Sequence, residues 1–249
     1  MLITFQILGC SGGIPTQERG VTCVMITTKD YDIMIDCGEG SYLRWQKAGY
    51  HWKNLEYILI THMHPDHIGG LLPILFYRKL NNIESPLTII GPPNIEAYLS
   101  DSFQHSGVNH NQDLHYISIA DHPTIKLEKG ISLHAMEMKH KIPCWGYALE
   151  DGNHRKLVFI TDTLINANTM KLAEKADVLI HEATFPHHHR EKAMEHFHVT
   201  EIQAMEIADA AKVKRLVLTH FSPCLTDRDV KEWTWQGEPC VIFDERQTI

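Results

Sequence analysis

The chain has 249 residues, 43% of them hydrophobic and 22% charged, with 31 acidic against 23 basic side chains and a formal net charge of -8. That balance excludes a broad basic surface that wraps nucleic acid by phosphate neutralisation alone, leaving short runs such as Lys139-His140-Lys141 and Lys212-Val213-Lys214-Arg215. No stretch approaches the roughly 20 apolar residues that cross a bilayer, and six dispersed cysteines (Cys10, Cys23, Cys37, Cys144, Cys224, Cys240) form no CxxC pair, which points to a soluble cytoplasmic protein with reduced thiols.

Met1 to Leu8 lacks the basic leader of a signal peptide and reads as a first strand over 2–8. Short apolar runs predict further strands at 21–28, 31–36, 56–61, 87–91, 114–119, 131–138, 145–149, 156–161, 177–181, 214–219 and 240–244. Helical spacing predicts helices at 39–48, 66–80, 93–103, 166–175 and 200–211, the last opening with the capping box Thr200-Glu201-Ile202-Gln203. No low-complexity linker or composition shift divides the chain, so residues 1–249 are expected to form one domain. Two sheets faced by helices accommodate this order, an α/β protein built as a four-layer αββα sandwich.

The densest chemistry is the run His62-Met63-His64-Pro65-Asp66-His67, directly after the apolar segment Tyr57 to Thr61. In an extended loop His62 and His64 point the same way, while Asp66 and His67 reach a neighbouring point, so one loop can serve two adjacent metal ions. Imidazoles with a carboxylate suit zinc first, then manganese or iron. His62, Asp162, His181-Glu182 and His220 each follow an apolar β-type run, and strand ends along one sheet edge converge on one site. Two zinc ions that each keep an open position need about seven ligand atoms. The chain offers His62, His64 and His140 for one ion, Asp66, His67 and His220 for the other, and Asp162 as the bridge.

Two zincs against Asp66, Asp162 and a bridging hydroxide leave a charge of about +1, suited to a phosphodiester monoanion, with the hydroxide as nucleophile. The leaving alkoxide then needs a proton, and Glu182 orienting His198 makes a competent general acid. Asp66, Glu182 and His198 are therefore the candidate catalytic groups. The tract His187-His188-His189, in a polar stretch between Pro186 and Arg190, is expected to be mobile and exposed and stays outside the site.

These residues sit in recognisable company. Leu8-Gly9-Cys10-Ser11-Gly12-Gly13-Ile14-Pro15, Asp36-Cys37-Gly38-Glu39-Gly40, the HxHxDH run, Thr161-Asp162-Thr163, His181-Glu182-Ala183-Thr184-Phe185, His198-Val199-Thr200 and Leu218-Thr219-His220-Phe221-Ser222 follow one another as in ribonuclease Z. The chain resembles that branch of the metallo-β-lactamase superfamily over nearly its whole length. The resemblance implies the metallo-β-lactamase fold, two Zn2+ per chain, endonucleolytic removal of the 3′ trailer from tRNA precursors, and a homodimer. It also supports proton transfer by Glu182 and His198 and places Arg19 and Thr200 against substrate.

Three departures bear on the substrate. The loop that reads Pro-x-Lys-x-Arg-Asn in the family is Pro15-Thr16-Gln17-Glu18-Arg19-Gly20, Gly69-Gly70-Leu71-Leu72-Pro73-Ile74 replaces Gly-Leu-Pro-Gly-Leu-Leu, and Trp145 to Glu150 runs through Asp151-Gly152-Asn153 straight into the next strand, without the protruding arm that grips tRNA. A small or cyclic phosphodiester is thus the alternative substrate. Thr61 to Gly70 also fits the THxHxDHxGG pattern of a glyoxalase II-like thioesterase, but a thiolate leaves without the protonation that Glu182 and His198 provide. A β-lactamase reading lacks any sign of a lactam pocket, and a non-catalytic RNA-binding module would be expected to have lost ligands, whereas all seven are present.

Overall fold

In a computed structural model of the chain, residues 3–107, 114–243 and 246–249 are described. Six strands come first: β1 (Thr4–Gly9), β2 (Cys23–Thr27), β3 (Asp32–Ile35), β4 (Leu55–Leu59), β5 (Leu87–Gly91) and β6 (Leu114–Ser118). Six more follow: β7 (Thr124–Lys126), β8 (Ser132–Met138), β9 (Cys144–Glu150), β10 (Lys156–Ile160), β11 (Val178–Glu182) and β12 (Leu216–Thr219). A small hairpin, β13 (Thr234–Trp235) with β14 (Glu238–Pro239), and a last strand, β15 (Arg246–Thr248), complete the set. The first sheet has the order β15-β1-β2-β3-β4-β5-β6 and the second β12-β11-β10-β9-β8-β7.

The helices are α1 (Ser41–Lys47), α2 (Pro65–Ile68), α3 (Leu71–Leu80), α4 (Ile95–Ser106), α5 (Ala167–Ala173), α6 (Arg190–Glu195), α7 (Glu201–Ala210) and α8 (Asp227–Lys231). Strand alternation sorts the apolar side chains into layers. Phe5, Ile7, Val24, Ile26, Ile33 and Leu59 from the first sheet join Leu133, Tyr147, Leu149, Leu157 and Phe159 from the second in one buried cluster. The other face of the first sheet, with Met25, Met34, Ile58 and Ile89, packs under Trp45 of α1, Leu71, Ile74 and Leu75 of α3, and Leu99 and Phe103 of α4. Helices α5 and α7 cover the second sheet. The result is the expected αββα sandwich.

Three details set the site. The expected helix over 66–80 is broken into α2 and α3 at Gly69-Gly70, where the chain runs against the segment after β3. The Gly70 amide donates to the Cys37 carbonyl (2.8 Å), and a Cβ at Gly38 would lie 2.2 Å from the Asp66 carbonyl oxygen, so the two loops pack backbone against backbone. From the other sheet, the buried Tyr147 hydroxyl donates to the Ile60 carbonyl (2.6 Å) and the Trp145 amide to the Thr61 carbonyl (3.0 Å), fixing the entry to the histidine loop at about 1 kcal/mol per bond. Asp36, Asp162 and His220 each leave a strand in the left-handed region (φ 56°, 49° and 61°), a conformation that costs a non-glycine residue free energy and recurs at functional sites.

Other elements depart from expectation at the margins. The strand expected at 240–244 is only an isolated bridge from Val241 to Leu218, and both Leu2 and Asp244 lie outside the described residues. His187–His189 form one 3-10 turn, with His187 and His188 exposed. Helices α6 and α8 and strands β7, β13, β14 and β15 are too short for a periodicity to announce them.

Candidate active site

The histidine loop leaves β4 extended through His62 and His64, then turns into α2, whose first turn carries Asp66 and His67. His140 follows β8, Asp162 follows β10 and His220 follows β12. The seven side chains meet between the sheets' ends in two groups, and His198 lies near Asp162 and His220 in a third, overlapping one. In the first, His64 Nδ1 lies 3.0 Å from His62 Nε2 and 3.2 Å from His140 Nε2. In the second, His67 Nε2, His220 Nε2 and Asp66 Oδ2 stand 3.3 Å apart pairwise. Asp162 lies between them. Its Oδ2 is 3.6 Å from His62 Nε2 and 3.7 Å from His140 Nε2, while its Oδ1 is 3.4 Å from His67 Nε2 and 3.1 Å from His220 Nε2.

Those separations fit a cation. Around an ion with metal–nitrogen bonds of about 2.0–2.1 Å, tetrahedral ligand atoms stand about 3.3–3.4 Å apart. The ring nitrogens are also prepared as lone-pair donors, because four of the imidazoles commit their other nitrogen to an acceptor. His62 Nδ1–H donates to Thr61 Oγ1 (3.0 Å), His67 Nδ1–H to Asp36 Oδ2 (2.7 Å), His220 Nδ1–H to Thr184 Oγ1 (2.9 Å) and His140 Nδ1–H to the Phe197 carbonyl (3.4 Å). Convergent lone pairs repel one another unless a cation sits among them.

The electrostatics divide the two groups. Burial lowers the pKa of His62, His64 and His140, so this group is neutral and ready to ligate at pH 7. His67 behaves oppositely: burial disfavours its charge, but Asp162, Asp36 and Asp66 surround it and hold its pKa well above the ordinary histidine value. A divalent ion must displace that proton. Burial would raise the carboxyls of Asp66 and Asp162, yet the neighbouring histidines keep both well below the usual range.

Beside the metal groups, the buried Glu182 carboxylate lies 3.1 Å from His198 Nδ1. It also accepts the Thr163 amide (2.6 Å), the Thr184 hydroxyl (2.5 Å) and the Val199 amide (3.3 Å). Burial pulls the His198 pKa down, but the Glu182 charge and hydrogen bond outweigh it and raise it to about 9. His198 is therefore an imidazolium at neutral pH, held by Nδ1. It lines a cleft of about 230 Å³ together with His64, Asp66, His140, Asp162, His220 and the Gly12-Gly13 loop.

Two expected substrate contacts are placed elsewhere. Arg19 is 4% exposed, with Nε 3.2 Å from Asp227 and Nη2 on the Leu225 carbonyl, so its guanidinium ties the loop after β1 to α8. Thr200 is fully buried and caps α7, its hydroxyl accepting the Gln203 amide (3.4 Å) in the expected capping box. His181 is also buried, hydrogen-bonded to the Glu182 carbonyl (2.8 Å), and belongs to neither metal group.

Asp36, Thr61, Thr184 and Gly13 have functional positions that the sequence reading did not assign. Gly13 donates its amide to Asp66 Oδ2 (2.8 Å). Asp36 receives His67 directly and the Thr61 hydroxyl (2.9 Å), which in turn receives His62, so one carboxylate orients a ligand in each group. The signal was present in the Asp-Cys-Gly-Glu-Gly segment, but not its partners. Replacing Asp36 by alanine is expected to weaken metal binding by roughly 10- to 100-fold, the usual cost of losing such a partner, and to do so at both groups, as read by competition with a chelating dye.

Fold and site define a metal-dependent hydrolase whose His/Asp cluster binds divalent metal. Residues 31–221 match the Beta-lactamase superfamily domain. The chain is 30% identical to ribonuclease BN of Proteus mirabilis over 99% of its length and 97% of the relative's, and 32% identical to ribonuclease Z of Crocosphaera subtropica over 90% and 87%. The crystal structure of the short form of human tRNase Z superimposes with a TM-score of 0.78 at 26% identity, covering 89% of this chain and 93% of that one. The chain belongs to the ribonuclease Z family of the β-lactamase superfamily, as a phosphodiesterase of that type.

The alignment with the Crocosphaera enzyme runs over 277 positions, more than this chain contains, so the relative carries inserted residues that are missing here. Where an arm is expected, β9 and β10 form a tight hairpin. Asp151 closes it by accepting the Asn153 and Arg155 amides (2.9 and 3.0 Å) and the Arg155 guanidinium (2.8 Å).

Proposed function

We propose that the protein is a two-zinc endoribonuclease acting at the 3′ side of tRNA precursors. The observation that carries this reading is the Glu182–His198 pair beside the two ligand groups, 3.1 Å from carboxylate to Nδ1. His62, His64 and His140 would hold one ion, Asp66, His67 and His220 the other, with Asp162 shared. Divalent ions bound there supply Lewis acidity toward a phosphoryl oxygen and acidify water to a usable nucleophile. Glu182 keeps His198 protonated, and His198 delivers that proton to the departing alkoxide. Asp66, held by the Gly13 amide, lines the cleft together with His140. The ribonuclease Z relatives support RNA as substrate.

A smaller phosphodiester is the second reading, favoured by the armless β9–β10 hairpin and the burial of Arg19. Six free cysteines support a reducing, cytoplasmic setting. A homodimer, in which the partner subunit supplies part of the grip, is the assembly proposed.

The test is a parallel assay of the zinc-loaded protein on precursor tRNA, a cyclic nucleotide, bis(p-nitrophenyl) phosphate and a glutathione thioester. Cleavage of precursor tRNA with two zincs per chain is the expected result. Thioester hydrolysis without phosphodiester cleavage, or less than one zinc per chain, would overturn the reading.

A further inference from the structure

Thr184 carries an arrangement that neither metal binding nor the proton donor accounts for separately. Its side chain is buried, and its single hydroxyl touches three functional groups: Glu182 Oε2 at 2.5 Å, His220 Nδ1 at 2.9 Å and His198 Nδ1 at 3.3 Å. A hydroxyl has one proton to give. Glu182 is a carboxylate, its pKa lowered against burial by His198, so it can only accept. The Thr184 proton therefore goes to Glu182. That leaves the oxygen lone pairs for His220, whose Nδ1 must then carry hydrogen and whose Nε2 is left bare, pointing at Asp66 and Asp162 (3.3 and 3.1 Å). The direction of one hydroxyl thus decides the tautomer of a metal ligand.

The same carboxylate serves both branches. Glu182 reaches His198 directly and His220 through Thr184, while the Thr163 amide and the Val199 amide hold it in place. The backbone secures this geometry: β11 delivers Glu182, and the Thr184 carbonyl accepts the Ser222 amide (2.9 Å) just beyond His220. We infer that Thr184 is a positioning residue that couples the proton-donor pair to the second metal group, setting the ligating tautomer of His220 and the placement of Glu182 with one hydrogen-bonded chain. This rests on the reading of Glu182 and His198 as proton donor.

Zinc affinity and rate separate the possibilities. Thr184→Val and Thr184→Ala are expected to weaken binding of the second zinc by roughly 10- to 100-fold in chelator competition, with the first zinc unchanged. At saturating zinc their rate on bis(p-nitrophenyl) phosphate, whose leaving group needs no proton, recovers, while cleavage of RNA stays at least tenfold low. Thr184→Ser restores both. His198→Ala gives the contrasting pattern, with RNA cleavage slowed by about 10²- to 10⁴-fold and both zinc affinities intact. If Thr184→Ala binds two zincs with wild-type affinity and cleaves RNA at the wild-type rate, the inference fails. If instead the second zinc is weakened but His198→Ala shows no preference between the two substrates, the metal branch stands and the proton-donor reading fails.

Discussion

Replacing Asp162 by alanine is expected to lower phosphodiester hydrolysis at least about a thousandfold, equivalent to about 4 kcal/mol at the transition state, and to abolish tight binding of both zincs. The reason is its shared position. Oδ2 faces His62 and His140 at 3.6 and 3.7 Å, and Oδ1 faces His67 and His220 at 3.4 and 3.1 Å, so no other side chain can complete both groups. Its removal also takes one negative charge from the pocket, weakening the attraction for any incoming cation. Asp162→Asn keeps the shape without the charge and should retain a partial first site. Metal content after gel filtration and steady-state rates read the two consequences separately. An Asp162→Ala protein that still held two zincs and kept a tenth of its rate would show that Asp162 does not bridge.

The site was legible to the extent that its chemistry is local. The histidine loop announces a metal because four donor groups fall within six residues, and His140, Asp162 and His220 are brought to it because each stands just past a strand of the same pair of sheets. Glu182 and His198 are sixteen residues apart yet within hydrogen-bond distance, since the helix between them, α6, returns the chain to the end of β11. What was not legible depends on partners far away in sequence. Asp36 orients His67 across thirty-one positions, and Gly13 holds Asp66 across fifty-three. Arg19 looked like a substrate contact because only its loop could be compared, and its counterion, Asp227, lies on a short helix that no periodicity revealed. The helix break at Gly69-Gly70 was likewise hidden, for it depends on the close approach of the segment after β3, where a Cβ at Gly70 would lie 2.2 Å from the Gly38 carbonyl oxygen.

The second large effect concerns the proton. His198→Ala is expected to slow cleavage of RNA by about 10²- to 10⁴-fold, the usual contribution of a general acid, while hydrolysis of bis(p-nitrophenyl) phosphate changes by no more than about threefold. Only the first reaction expels an alkoxide. The pH dependence follows from the raised pKa. His198 holds its proton below about 9 and loses it above, so RNA cleavage should fall on the alkaline side as pH rises through that value, or somewhat lower when nearby bound cations disfavour the imidazolium. Glu182→Gln keeps a hydrogen-bonding oxygen but removes the charge responsible for the shift, so the alkaline limb should move down toward the ordinary histidine value of about 6.5. The aryl substrate should show no such limb in either protein. A limb that stays in place in Glu182→Gln would mean that the group titrating there is not His198, and the proton would have to come from elsewhere in the cleft.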